Sequence, residues 1–240
     1  LNRRPAHTDP FVIEQNNATG SVSYWQNADN QSAADRHGVS LADYIHAMYG
    51  FIRQAKCRDV LMIGCGGGTL ATMLCRTGVR VAIVDTNAAS FEIARRYFHM
   101  PQDIACHVAD GAAFLRRTKA RYDAIVLDAY DDAAIPKQFL RKSFFDLAQS
   151  RMAKRGAIFL MNIIVSDDAD RTPDRIVRLM GRTWRHTRLL DCDGWENRNA
   201  VALAGAVRAL RRPRLLLPPA RGARKLAADL KALEFRALRA

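Results

Sequence analysis

The run Val60-Leu61-Met62-Ile63 leads directly into Gly64-Cys65-Gly66-Gly67-Gly68, and a helical pattern opens at Thr69. Four consecutive apolar residues closed off by glycines mark a strand covered on both faces, as in parallel sheets. Parallel neighbours need crossover helices, and the sequence supplies them in turn. Strands are predicted at Val79–Val84, Ile104–Val108, Tyr122–Leu127 and Ala157–Asn162. Helices are predicted at Ala88–Phe98, after Asp110-Gly111 to Arg117, at Phe139–Met152 and at Pro173–Thr183. Two last strands, Thr187–Leu190 and Ala200–Ala204, are joined by a short loop rather than a helix and should close the sheet as an antiparallel hairpin. The expectation is an α/β fold with a seven-stranded, mostly parallel sheet and helices on both faces.

Ahead of this block, Phe11–Gln15 and Ser21–Gln26 flank the turn residues Asn16–Gly20 and read as a small β-hairpin. Residues 1–10 read as a disordered lead-in and Asn27–Gly38 as a polar connection. Leu41, Tyr44, Ile45, Met48 and Ile52 then recur at helical spacing up to Gln54. Three segments follow: an N-terminal extension (1–40), the α/β domain (41–205) and a basic tail (206–240). In the tail, Leu226, Leu230, Leu233 and Leu238 mark an amphipathic helix.

Charge matters because of where it lies. Of the net +13, the tail carries +8 and the other 205 residues +5. A basic tail can attract nucleic acid, an acidic membrane surface or an acidic partner. The leucine spacing favours a solvated helix docked on the body, so nucleic acid is not the favoured partner. No uncharged apolar run approaches the ~18–20 residues of a membrane span, and no signal peptide is visible. Five scattered cysteines without a C-x-x-C pair argue against a disulfide framework or a zinc site and suit a reducing, cytoplasmic setting. The six histidines show no metal-ligand spacing, so no metal is expected. A G-x-S-x-G elbow is absent.

In open α/β sheets, ligands bind beyond the carboxyl ends of the strands. The first end offers Gly64, Gly66 and Gly68, where a ligand can approach backbone N–H groups at a helix start; a tight strand-to-helix turn explains them equally. The second offers Asp85, suited to the two hydroxyls of a ribose or to capping the next helix, a job Asn87 could do instead. The third offers Asp110-Gly111, where Asp110 could hold an adenine amino group or serve as an N-cap. The fourth offers Asp128, followed by Asp131 and Asp132. Three carboxylates at one sheet edge repel one another unless they face water or a cation.

This succession, from Val60 to Asn162, resembles the class I S-adenosylmethionine-dependent methyltransferase fold, a Rossmann-like architecture. The pair Asp128 and Asp131 makes it similar, more narrowly, to the spermidine synthase (polyamine aminopropyltransferase) branch. The resemblance implies that Gly64, Gly66 and Gly68 line the donor site, that Asp85 binds ribose and that Asp110 with Gly111 flanks adenine. It implies Asp128 as general base and Asp131 as ligand of the amine, with Gln31 and Tyr44 near substrate-contacting positions. S-adenosylmethionine or its decarboxylated form is the implied donor, without metal, and a small-molecule amine is the implied acceptor; a homodimer is compatible. The sequence departs from the branch in four places. Gly67 stands where the glycine loop commonly holds an Asp, and Asp132 stands where a Pro follows the second Asp. The branch's Tyr-His-Glu run is matched only by Tyr44-Ile45-His46, and the N-terminal region is short.

Three functions follow. The first is aminopropyl transfer from decarboxylated S-adenosylmethionine to a polyamine. The second is methyl transfer from S-adenosylmethionine to a small molecule or RNA. The third is a non-catalytic nucleoside-binding module, since fold alone does not fix function.

Overall fold

The computed structural model describes residues 11–26, 29–131 and 134–239; the expectations for residues 1–10 and for Asp132 lie outside them. Eight strands form one sheet in the order β11 (Glu234–Arg236), β9 (Thr187–Asp191), β10 (Arg198–Gly205), β8 (Ile158–Val165), β7 (Ala124–Leu127), β4 (Asp59–Ile63), β5 (Arg80–Asp85) and β6 (Ala105–Val108). Its parallel part comprises β4, β5, β6, β7 and β8. β4 lies between β5 and β7 and is buried from Val60 to Ile63, as its uninterrupted apolar run requires. β10 runs antiparallel to both β8 and β9, which is the closing hairpin.

Alternate strand residues feed two cores. Val60, Met62, Ile83, Val126 and Leu160 pack under α1 (Asp43–Gln54), α2 (Thr69–Cys75) and α3 (Ala88–Tyr97). Leu61, Ile63, Ile125, Leu127 and Phe159 pack under α4 (Gly111–Arg117), α5 (Lys142–Ser150) and α6 (Thr172–Met180). The helices therefore cover both faces of the sheet.

Two strands correct the sequence reading. The N-terminal hairpin is a three-stranded antiparallel sheet: β1 (Phe11–Asn16), β2 (Ser21–Gln26) and β3 (Asp29–Ala34), the last drawn from the polar connection. Its side chains Val22, Tyr24 and Ala34 pack on Ile93 and Phe98. The large sheet has eight strands rather than seven, because the tail adds β11 (Glu234–Arg236) to the free edge of β9.

The tail helix α7 (Ala223–Ala232) docks by Leu226 and Leu230, and Leu233 is buried just beyond it. Leu238, expected on the same apolar face, lies past the helix and is 36% exposed. Arg236 holds two buried carboxylates, with its guanidinium 2.8 Å from both Asp174 and Asp191. Asp191 is also paired with Arg198 at 2.8 Å. Part of the tail's basicity is thus consumed inside the protein.

Candidate active site

The carboxyl ends of β7, β4, β5 and β6 lie side by side, and the strand-end residues meet there. Gly64 has φ +100°, and a Cβ on it would lie 1.9 Å from the carbonyl oxygen of Asp128. Only glycine lets the two central strands end this close. Gly68 starts α2 in the left-handed region, with φ +63°. Gly66 lies under β3, since a Cβ there would be 3.2 Å from the carbonyl of Gln31. The hydroxyl of Ser32 accepts a hydrogen bond from the Gly67 N–H at 2.8 Å. The small sheet therefore roofs the glycine loop, bringing Gln31 beside it through its backbone.

Asp85 is half-buried and accepts from the N–H of Cys65 at 2.8 Å and from that of Asn87 at 2.8 Å. Burial raises its carboxyl above the ordinary range, and these backbone bonds partly offset the rise. Asn87 caps α3 by accepting from Ala89, so Asp85 is not the cap. A carboxylate has about four acceptor positions, which leaves room for two ribose hydroxyls.

Asp110 does cap its helix, accepting from the Ala113 N–H at 2.8 Å, and it also accepts from the Gln138 amide at 3.1 Å. Gly111 is fixed by packing: a Cβ there would meet the Ile63 side chain at 2.4 Å.

Asp128 is the centre of a polar chain. Its carboxylate accepts from the Asn162 amide at 2.9 Å and, at 3.4 Å, from the hydroxyl of Tyr44 on α1. Asn162, itself buried, accepts from the Asn199 amide at 2.9 Å. Tyr130 pins the loop after β7 onto β8, donating to the Asn162 carbonyl at 3.0 Å and accepting from the Ile164 N–H at 2.9 Å. Burial raises the Asp128 carboxyl above its usual value, while the bonds from Asn162 and Tyr44 pull it back. The Tyr44 phenol is pushed well above its ordinary value by burial and by Asp128, so it remains a donor.

Asp131 is exposed at the start of the following loop, where its N–H and carbonyl bridge to Ala134. Among the described residues no hydrogen bond joins its side chain to Asp128, whose partners are Tyr44 and Asn162. The sequence reading overlooked Ser32, Asn162, Asn199 and Tyr130. A signal for Asn162 existed: one amide inside the apolar run Ile158–Val165 is the kind of buried polar group that demands a partner. His46 is a packed side chain with a ring nitrogen 2.8 Å from the Ser40 carbonyl. Among the described residues no cluster of three or more His, Cys, Asp or Glu could hold a metal ion.

Comparison with known proteins bears on the fold and on the sequence of the α/β block. The Methyltransferase domain family matches residues 60–166. A probable polyamine aminopropyl transferase from Bifidobacterium longum is 31% identical over 114 residues, covering 47% of this chain and 26% of that protein. An eEF1A lysine and N-terminal methyltransferase homolog from Drosophila melanogaster is 28% identical over 128 residues, covering 48% of this chain and 19% of that protein. The chain thus spans about a quarter or less of the length of these two relatives. The crystal structure of a probable spermidine synthase from Corynebacterium glutamicum superimposes with a TM-score of 0.75 at 15% identity, covering 97% of this chain and 88% of that one. The alternation of strands and helices gives this chain the class I S-adenosylmethionine-dependent methyltransferase fold, shared with that spermidine synthase, and over about half its length its sequence is similar to polyamine aminopropyltransferases.

Proposed function

We propose that the crevice binds an adenosyl sulfonium donor and that the protein is a transferase moving an aminopropyl group from decarboxylated S-adenosylmethionine to a polyamine. The observation that carries this reading is the placement of Asp128, at the end of β7 and against Gly64, with one donor on each side of its carboxylate. In the proposed complex Asp85 takes the ribose hydroxyls, Gly64, Gly66 and Gly68 admit the donor to the backbone, and Asp110 with Gly111 borders the adenine. The donor supplies a carbon activated by a neutral thioether leaving group, so placing the nucleophile does most of the work.

The protein's task is to deliver a neutral amine. An alkylammonium has a pKa of about 10. Asp128 first attracts the cation and then accepts its proton, and its raised pKa makes it a better acceptor than an ordinary carboxylate. Tyr44 and Asn162 fix the orientation of the carboxylate. Asp131, exposed at the crevice mouth, guides the far end of the acceptor. The five cysteines are free, which suits a cytoplasmic enzyme.

Methyl transfer from S-adenosylmethionine is the second reading, favoured by one observation. Gly67 replaces the loop Asp of the aminopropyltransferase branch, and a Cβ there would meet the Ser32 Cβ at 2.8 Å and the Phe98 ring at 3.0 Å. Calorimetry with S-adenosylmethionine beside its decarboxylated form separates the readings. Tighter binding of the decarboxylated donor is expected. Far tighter binding of the carboxylated donor would move the assignment to methyl transfer, and binding of neither would leave a non-catalytic module.

A further inference from the structure

Charge is distributed by the two ends of the sheet. The carboxyl end gathers Asp85, Asp110, Asp128 and Asp131, whereas the loops entering the amino ends of β4, β5, β7 and β8 are basic. Arg53, Lys56 and Arg58 line a cleft of about 420 Å³ shared with Thr77, Gly78 and Arg80. This cleft is at the opposite end of the sheet from the glycine loop. Asp123 ties it to the neighbouring loops, accepting from the Arg58 N–H at 2.8 Å through its carboxylate and from the Ile158 N–H at 2.9 Å through its carbonyl. The rim continues along Lys119 before β7 and Lys154 and Arg155 before β8, stitched by the Tyr122 N–H to the Arg151 carbonyl at 2.9 Å.

Arg53, Lys56, Arg58, Lys119, Lys154 and Arg155 are exposed, and none makes an ion pair among the described residues. The acids nearby are engaged elsewhere: Asp59 holds Arg80 at 2.5 Å, and the Asp123 carboxylate accepts two backbone N–H groups. Helices end at this rim, and cations there complement helix dipoles. That accounts for Arg53 in the last turn of α1, but not for cations set in the loops between helices and strands.

We propose that this rim is a docking surface for the phosphate backbone of duplex nucleic acid, independent of the transferase reading. A row of cations unpaired among the described residues, across the three adjacent strand ends of β4, β7 and β8, with strands about 4.8 Å apart, suits a linear array of phosphates. The exposed aromatic side chains Phe11 and Trp195 lie on β1 and in the loop between β9 and β10, not on the rim. Among the described residues the rim therefore shows neither the stacking platforms that single strands use nor the apolar anchors that a membrane surface requires. Recognition is confined to phosphates and is indifferent to base sequence.

The test is fluorescence anisotropy with labelled 20-base-pair RNA and DNA duplexes between 50 and 200 mM salt. Binding should weaken linearly in log–log form for either duplex. The variant Lys56→Ala/Arg58→Ala/Lys154→Ala/Arg155→Ala should flatten the slope by about 3–4 units and lower affinity at least tenfold. The control Arg141→Ala/Arg175→Ala/Arg224→Ala/Lys231→Ala removes as much charge from other surfaces and should leave the slope within one unit of wild type. Equal losses in both variants would reduce the effect to overall charge and overturn the proposal. So would wild-type affinity in the rim variant, or co-sedimentation with phosphatidylserine vesicles that duplex does not compete away.

Discussion

Asp128 receives hydrogen bonds from two elements far apart in sequence, and its reactivity depends on both. In its proposed role as base it works when ionised, so turnover should rise with pH through a pKa that burial places above the usual carboxylate value. Asn162→Leu removes the bond that lowers this pKa, and the acid limb of the kcat/KM profile should move to higher pH. Asp128→Asn keeps the shape and removes the basicity; it should cost about 10²–10⁴ in turnover while donor affinity changes little. An unmoved acid limb together with wild-type turnover would assign Asp128 a purely structural role. At Gly67, restoring the Asp common in the aminopropyltransferase branch should not restore function. It should overpack Ser32 and Phe98, destabilise the fold by about 1–3 kcal/mol and lower the thermal midpoint by several degrees, measurable by calorimetry.

Strands and helices of the α/β block were legible because their signals are local. Val60–Ile63 reads as doubly covered, and Asn87 and Asp110 announce helix starts, as the structure bears out. β3 was not legible: Asp29–Ala34 has neither apolar alternation nor β-branched residues, and it pairs through its backbone with β2. β11 is three residues whose strand character comes from the open edge of β9. The site was legible to the same degree. Acids at strand ends can be read from the chain, whereas Asn162, Asn199 and Ser32 act through contacts that exist only after folding.

β11 carries its own prediction. Burial alone would raise the carboxyls of Asp174 and Asp191, but hydrogen bonds from Arg236 and, for Asp191, Arg198 outweigh it and hold both below the ordinary range. The stability they contribute is fully present above the unfolded value of about 3.9 and is lost as pH falls through the lower folded values. Arg236→Met leaves Asp174 buried without its cation and should cost about 3–5 kcal/mol at pH 7. Denaturant titrations at pH 7 and pH 3 should show the deficit shrinking in acid; a deficit independent of pH would assign it to packing.

At the scale of the whole molecule, a net charge of +13 would ordinarily repel a polyamine. The positive charge lies largely on the tail and on the amino-end rim, while the crevice is lined by carboxylates. Fields are screened within about 8 Å at physiological ionic strength, so an arriving amine responds to the nearer acids. Added salt should therefore lower kcat/KM for a cationic acceptor. A rise with salt would mean that the overall charge governs encounter.

The clamp at β11 also sets a clock. Asp174 and Asp191 precede Arg236 by 62 and 45 positions. With synthesis at roughly 5–20 residues per second, a nascent chain holds Asp174 for several seconds before Arg236 exists, whereas Asp191 gains Arg198 after only seven residues. Throughout that interval the outer edge of β9 is open to any passing strand. The newborn protein is accordingly more exposed to mispairing than the finished one, and slow codons between these positions would lengthen the danger.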